Sequence, residues 1–284
     1  MRSKRNYIFA LLLVVCSSTA TYFVSHSSAQ PAAANNDYQI AATLYMQKAA
    51  EYRAMAYQSY NIARWQLDQD LAGKNKNDVP KAERKKPRAI MVDIDETVLD
   101  NSAYQAQNII QHRGFDVNAW YAFGELRKSK AVPGAVNLLN YAASKGVKVF
   151  FVSNRDEPQK QATIDNLKNV GFKDVTADNV LLRQLGADGK PVTSSKEPRR
   201  DIIRGKYRIV FFMGDNLDDH SNVFEHKSIA DRFALVDQDR ELFGKKYILL
   251  PNAMYGTWEN ALYDYKNPSD ADKQKIRLSL LELP

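Results

Sequence analysis

Four short polar strings in this chain carry residue types that do chemistry. The first, Asp93-Ile94-Asp95-Glu96-Thr97, packs three acids into four residues directly after the apolar run Ala89-Ile90-Met91-Val92. The others are Ser153-Asn154-Arg155, Ser194-Ser195-Lys196-Glu197-Pro198 and Gly214-Asp215-Asn216-Leu217-Asp218-Asp219. Crowded acids raise one another's pKa unless a cation holds them ionised. The first string therefore asks for a hard metal, or else it is a solvated loop or a helix cap. Mg²⁺ takes one or two carboxylates together with waters and phosphate oxygens, and Asp93 and Asp215 can supply them. An aspartate can also attack phosphorus, which Asp93 is placed to do. Asp95, just beyond it, can protonate a leaving oxygen and later take a proton from water. Ser153, Asn154 and Arg155 are the candidate contacts to substrate, and Lys196 at a helix start can balance developing charge. Taken alone, Lys196 reads equally well as a solvated surface lysine. Of Asp218 and Asp219, one is expected to support a metal through water and the other to cap a helix.

These residues share a site only if the fold delivers them to one edge. Ala89–Val92 is short, branched and apolar, the pattern of a strand buried on both faces. Val147–Val152 and Tyr207–Met213 repeat it, each ending in one of the polar strings, and Tyr247–Leu250 is a fourth. Asn179–Leu182 reads as a short strand. Helical patterns at Asn101–His112, Ala135–Lys145, Glu157–Val170 and Lys196–Arg204 alternate with them. Alternation of this kind predicts an α/β fold, a Rossmann-like parallel sheet with helices on both faces and a small helical cap or flanking element. In such a sheet Asp93, Ser153 and Asp215 reach one edge.

Ahead of this core, Asp37–Leu71 is helical, with Ile40, Leu44, Met55, Ile62 and Leu67 on a drifting apolar face and Tyr38, Tyr45, Tyr52 and Tyr60 beside them. Gly73 is the expected stop, and Lys74–Lys86 a basic connector. Residues 37–86 thus form an N-terminal helix and connector, and 87–284 the core. Residues 1–29 have the make-up of a secretory leader: Arg2, Lys4 and Arg5, an apolar stretch from Tyr7 to Val15, and Ser27-Ser28-Ala29 as cleavage site. An uncleaved anchor is the alternative, because Tyr7–Val24 approaches spanning length. Cys16, the only cysteine, rules out an internal disulfide. Leu13-Val14-Val15-Cys16 partly matches a bacterial lipid-attachment site, although Val15 stands where a small residue is usual. The net charge is +7, and removing the three leader cations leaves +4. That charge is too small and dispersed for a nucleic-acid polymer, and suits an anionic small substrate. His112, His220 and His226 have no ligand spacing for a haem or metal carrier.

Asp93-Ile94-Asp95-Glu96-Thr97, Val152-Ser153-Asn154-Arg155, Lys196 and Gly214-Asp215-Asn216-Leu217-Asp218-Asp219 together resemble the haloacid dehalogenase-type phosphohydrolases. Within these the chain resembles the bacterial class C acid phosphatases, the lipoprotein acid phosphatase and 5′-nucleotidase family. Ala131-Val132-Pro133-Gly134-Ala135 and Pro251-Asn252-Ala253-Met254-Tyr255-Gly256 also look like family segments. The resemblance implies an exported, Mg²⁺-dependent acid phosphatase, periplasmic or lipid-anchored to the outer membrane. It would act on small phosphate esters, with 5′-nucleotides expected. Asp93 would be the nucleophile and Asp95 the acid/base. Asp93, Asp215 and the carbonyl of Asp95 would hold the metal, with Asp219 in support. Tyr255 and one of Phe115 or Trp120 would clasp a nucleobase, or else serve as core aromatics. His220 departs from the family, which usually has Phe there. A phosphotransferase would use the same residues. A non-enzymatic storage or binding protein on this fold is the other reading, and the presence of Asp93, Asp95 and Asp215 speaks against it.

Overall fold

The structure, a computed structural model, describes residues 36–284, so the leader and Cys16 lie outside the described residues. Helix α1 (Ile40–Lys48) stops at Ala49, whose extended backbone (φ −77°, ψ 129°) separates it from α2 (Ala50–Leu71). The single helix expected over Asp37–Leu71 is therefore two. Then follow β1 (Arg88–Val92), a short β2 (Leu99–Asp100), α3 (Ser102–Ile110), α4 (Val117–Glu125), a short β3 (Lys130–Ala131) and α5 (Ala135–Ser144). The second half holds β4 (Lys148–Asp156), α6 (Lys160–Asn169), β5 (Val180–Arg183), α7 (Glu197–Lys206) and β6 (Arg208–Gly214). It closes with α8 (Ile229–Gln238), β7 (Tyr247–Leu249), α9 (Thr257–Leu262) and α10 (Asp270–Ser279). Among the described residues no helix is long and apolar enough to cross a membrane.

Five strands form one parallel sheet in the order β5-β4-β1-β6-β7. Alternation along β1 divides the core, because successive side chains of a strand point to opposite faces. Ile90 and Val92 join Ala56, Tyr60, Ala63 and Leu67 of α2, Leu138 and Leu139 of α5, and Leu167 of α6 on one face. Ala89 and Met91 join Phe150, Val152, Phe212 and Ile203 of α7 on the other. Both faces are covered, as continuously apolar strands require.

The expected apolar face is buried only in part. Ile40 and Leu44 of α1 and Met55 of α2 are largely exposed, whereas Leu67 is fully buried and Ile62 packs against the core, beside Tyr60 and the small, fully buried Ala56 and Ala63. Alanines let the helix backbone approach the sheet, a contact that a search for large apolar residues overlooks. The Tyr60 ring in turn packs so close to Gly134, at the start of α5, that a Cβ there would come within 2.8 Å of it.

Strand β4 also runs past its expected end at Val152, continuing through Ser153, Asn154 and Arg155 to Asp156. Its register against β5 slips between Val152 and Asp156. Polar residues can extend a strand where their side chains find partners, and here they do.

Candidate active site

The three strand ends meet as parallel topology demands, with β1 central and β4 and β6 on either side. Strand order reverses about β1, and open α/β sheets bind ligands in the crevice at such a switch point. Asp93 sits one residue beyond β1 and is still tied to the sheet, its amide donating to the Met213 carbonyl (2.8 Å). Its carboxylate is buried. Lys196 Nζ donates to Oδ1, and the Thr97 hydroxyl lies 3.3 Å from Oδ2. The same hydroxyl lies 3.3 Å from Asp215 Oδ1. Asp215 Oδ2 accepts from Asn252 (2.8 Å) and Asn216 (3.0 Å). Lys196, itself buried, also pairs with Asp219 Oδ1 at 2.6 Å. The second oxygen of Asp219 accepts from the Asn216 amide (3.0 Å), closing the turn after β6. This turn explains Gly214: a Cβ there would overlap the Asp219 carboxylate. Asp218 points elsewhere, toward Arg232 and Thr257.

Asp95 has its own set of donors. Arg155 approaches Oδ1 with Nε (2.9 Å) and Nη2 (2.8 Å), and Asn101 Nδ2 donates to the same oxygen (2.8 Å). The Ser153 hydroxyl donates to Oδ2 at 2.9 Å. Ser153 and Arg155, expected as substrate contacts, are both buried against Asp95, and Arg155 also bonds Asn101 and Thr163. The reason is the two-residue period of the extended β4, which sends Ser153 and Arg155 to the Asp95 side and Asn154 to the other. Asn154 is exposed. Its amide donates to the Ser194 carbonyl (2.8 Å) and its oxygen accepts from Arg199 (2.6 Å).

Burial pushes the Asp93 carboxyl up, and Lys196 only partly offsets this against the charges of Asp219 and Asp95. Burial raises Asp215 well above the ordinary carboxylate range, helped by Asp219 and Asp93. Lys196 goes the other way: burial disfavours its charge, but Asp219 and Asp93 outweigh burial and hold it protonated. One oxygen from each of Asp93, Asp215 and Asp219 lies within 4.8 Å of the others. All-oxygen donors held this close, with charges that repel in the absence of a cation, suit a hard divalent metal.

The aromatic candidates flank the Asp95 side. The Tyr255 hydroxyl donates to Glu96, a buried acid in the left-handed region (φ 55°) whose other oxygen accepts the Asn101 amide at 2.7 Å. Burial, then the charges of Asp95 and Asp215, push Glu96 well up. Trp120 lies over the Arg155 guanidinium (5.1 Å) and packs edge-on against Tyr104 (5.1 Å). Phe115 is 73% exposed, touching Tyr104 at 6.4 Å between ring centres.

The family model for the HAD superfamily, subfamily IIIB (acid phosphatase), matches residues 10–258. The chain belongs to this acid phosphatase subfamily. The class C acid phosphatase of Bacillus anthracis has a similar structure, with a TM-score of 0.78 and 39% sequence identity over 87% of this chain and 98% of that one. Its tungstate-bound crystal structure matches equally well, at a TM-score of 0.78 and 38% identity. Acid phosphatase 1 of Solanum lycopersicum is 30% identical over 128 residues, and vegetative storage protein 2 of Arabidopsis thaliana 26% over 128 residues. These alignments cover 45% of this chain and about half of each plant protein (49% and 48%).

Several residues that support this site were not among the expected site residues. Thr97 bridges two acids, Asn252 holds Asp215, Asn101 holds Asp95 and Glu96 anchors Tyr255. Thr97 and Glu96 stand inside the first string and Asn252 follows the last strand, so their positions were the available signal. Asn101 gave none beyond its nearness to that string. His220, the departure from the family pattern, is buried edge-on to Tyr247 (5.3 Å) with Nδ1 3.0 Å from the Asn216 carbonyl. It takes an aromatic's place behind the β6 turn, and burial holds it below the ordinary imidazole range.

Proposed function

We propose that this chain is an exported, Mg²⁺-dependent phosphomonoesterase acting on small phosphate esters, 5′-nucleotides among them. The observation that carries the reading is the convergence of Asp93, Asp95, Asp215 and Lys196 on one sheet edge, where Lys196 and Thr97 hold Asp93 and a different set of donors holds Asp95. Asp93 attacks phosphorus through a carboxylate oxygen. As that bond forms, the bond from phosphorus to the ester oxygen breaks, and Asp95 delivers a proton to the leaving oxygen. Asp95 then takes a proton from water, which attacks the aspartyl phosphate and frees inorganic phosphate and Asp93. Arg155, Ser153 and Asn101 keep Asp95 pointed at the reacting oxygens through both steps. Lys196 opposes the negative charge that gathers beside Asp93. Mg²⁺, when bound, would be held by Asp93, Asp215 and the Asp95 carbonyl with Asp219 in support, and would screen phosphoryl charge.

Residues 87–284 carry this chemistry, and 37–86 brace the sheet through α2. Residues 1–29 act as an export leader, cleaved after Ala29, which brings the enzyme to a bacterial periplasm. The nucleotide part of the reading rests on Tyr255 and Trp120, which flank the side where Asp95 meets the leaving group. The tungstate-bound relative supports an oxyanion site, since tungstate resembles phosphate in shape and charge. The likeness to a vegetative storage protein favours a second reading, binding without turnover. A phosphate-release screen of the mature protein over nucleotides and sugar phosphates, with Mg²⁺ or with EDTA, separates the two. Release that EDTA abolishes and Mg²⁺ restores is expected. Phosphate release that survives exhaustive chelation overturns the metal role, and no release from any ester leaves the binding reading.

A further inference from the structure

Arg199 lies in the first turn of α7, only 8% exposed, three residues after Lys196. Its guanidinium is shared between two segments of the site. Nη1 donates to the Ser153 carbonyl (2.5 Å), while Nη2 donates to Asn154 Oδ1 (2.6 Å) and the Ser195 carbonyl (3.0 Å). Its backbone amide donates to the Lys196 carbonyl at 3.1 Å. Asn154 completes the link by donating to the Ser194 carbonyl. All three side-chain partners are neutral oxygens, and burial pushes the guanidinium down to about 10. Its neighbours behave differently. Arg200 pairs with Glu197 (2.8 Å) and Arg155 with Asp95 (2.8 Å). Holding a buried cation without a carboxylate is costly, and a planar fork reaching two elements is something lysine cannot imitate. Packing alone gives no reason for a charge here. The location does, because the two segments it joins carry Asn154 on one side and Lys196 on the other.

We propose that Arg199 is a positioning residue of the site: it ties the end of β4 to the Ser194–Lys196 turn and so fixes the Lys196 ammonium against Asp93. The inference rests on the phosphoryl-transfer reading. The test is a double-mutant cycle on kcat/KM for a small aryl phosphate, using Arg199→Lys, Lys196→Met and their combination, with thermal unfolding of each. Arg199→Lys keeps the charge but cannot span both segments, so a loss of roughly tenfold to a hundredfold is expected, the scale for charged hydrogen bonds. Tm should move by only a few degrees. In the Lys196→Met background the same change should cost less than about threefold, since Arg199 then has no lysine to position. Asn154→Ala, at an exposed position, should reproduce part of the loss and not add to Arg199→Lys. Equal losses in both backgrounds, or full activity of Arg199→Lys, overturn the inference. Wild-type turnover by Lys196→Met, with the parent protein active, overturns instead the role of Lys196 on which it rests.

Discussion

At the residue scale, the site divides into groups suited to meet substrate and groups that aim them. Asp93, Asp95 and Lys196 stood out because a carboxylate pair follows a strand end and a lysine opens a helix, and the fold brings that lysine onto Asp93. Arg155 was visible as a charged residue but not as a support for Asp95, because its role follows from which side of an extended strand it occupies. Replacing it tests that role. Arg155→Met leaves Asp95 without its guanidinium, and kcat on an aryl phosphate should fall roughly tenfold to a hundredfold. Unchanged kcat in a folded protein would mean that Asp95 holds its place without help. Tyr255 is judged by comparing substrates. Stacking of a base on an aromatic contributes roughly 1–3 kcal/mol. Tyr255→Ala should therefore raise KM for nucleoside monophosphates by about tenfold to a hundredfold and leave a small sugar phosphate nearly unaffected. Equal losses on both substrates would make Tyr255 a packing residue that anchors the last loop to Glu96.

At the scale of elements, the apolar runs identified every strand of the main sheet, because a strand covered on both faces leaves an uninterrupted apolar signal. Less was readable where structure depends on partners distant in sequence. The β2–β3 pair is two residues per strand and has no pattern of its own. Helices α8 and α10 went unassigned, although Ser228 and Ser269 cap them by accepting the amides of Asp231 and Asp272. Neither helix buries an apolar side chain, so neither adds to the core pattern. Helix α2 was recognised with Leu67 on its buried face, but Ala56 and Ala63 were not, since they matter for their smallness. The turn after β6 offers a direct test of how closely elements define the site. Gly214→Ala puts a methyl group into the space of the Asp219 carboxylate, so the turn must shift or distort. Overpacking of this kind costs about 1–3 kcal/mol. A lowered Tm together with weakened Mg²⁺ affinity, by calorimetric titration, is the expected result. A variant with parental Tm and affinity would show the turn to be freely adjustable.

At the scale of the whole molecule, the site is a concentration of like charge that the fold tolerates and a cation relieves. Asp93, Asp215 and Glu96 all have carboxyl pKa values raised chiefly by burial. A group whose folded pKa exceeds its unfolded value gives its full stability below the unfolded pKa, about 4 for these acids, and loses it as pH climbs toward the folded pKa. Metal-free protein should therefore lose stability between about pH 4 and neutrality, beyond what other groups contribute. Mg²⁺ should recover it, release protons on binding and bind more tightly as pH rises. Thermal scans across pH with EDTA or Mg²⁺ check the sign, and a metal-free Tm that rises over that range because of these acids would refute it. The same acids serve turnover only if one of them attacks phosphorus. The most direct measurement is kcat of purified, folded Asp93→Asn on an aryl phosphate with saturating Mg²⁺. The substitution keeps the side-chain shape but removes the attacking charge and a metal ligand, so a loss on the order of 10³-fold or more is predicted. Turnover at the parental rate would contradict the account.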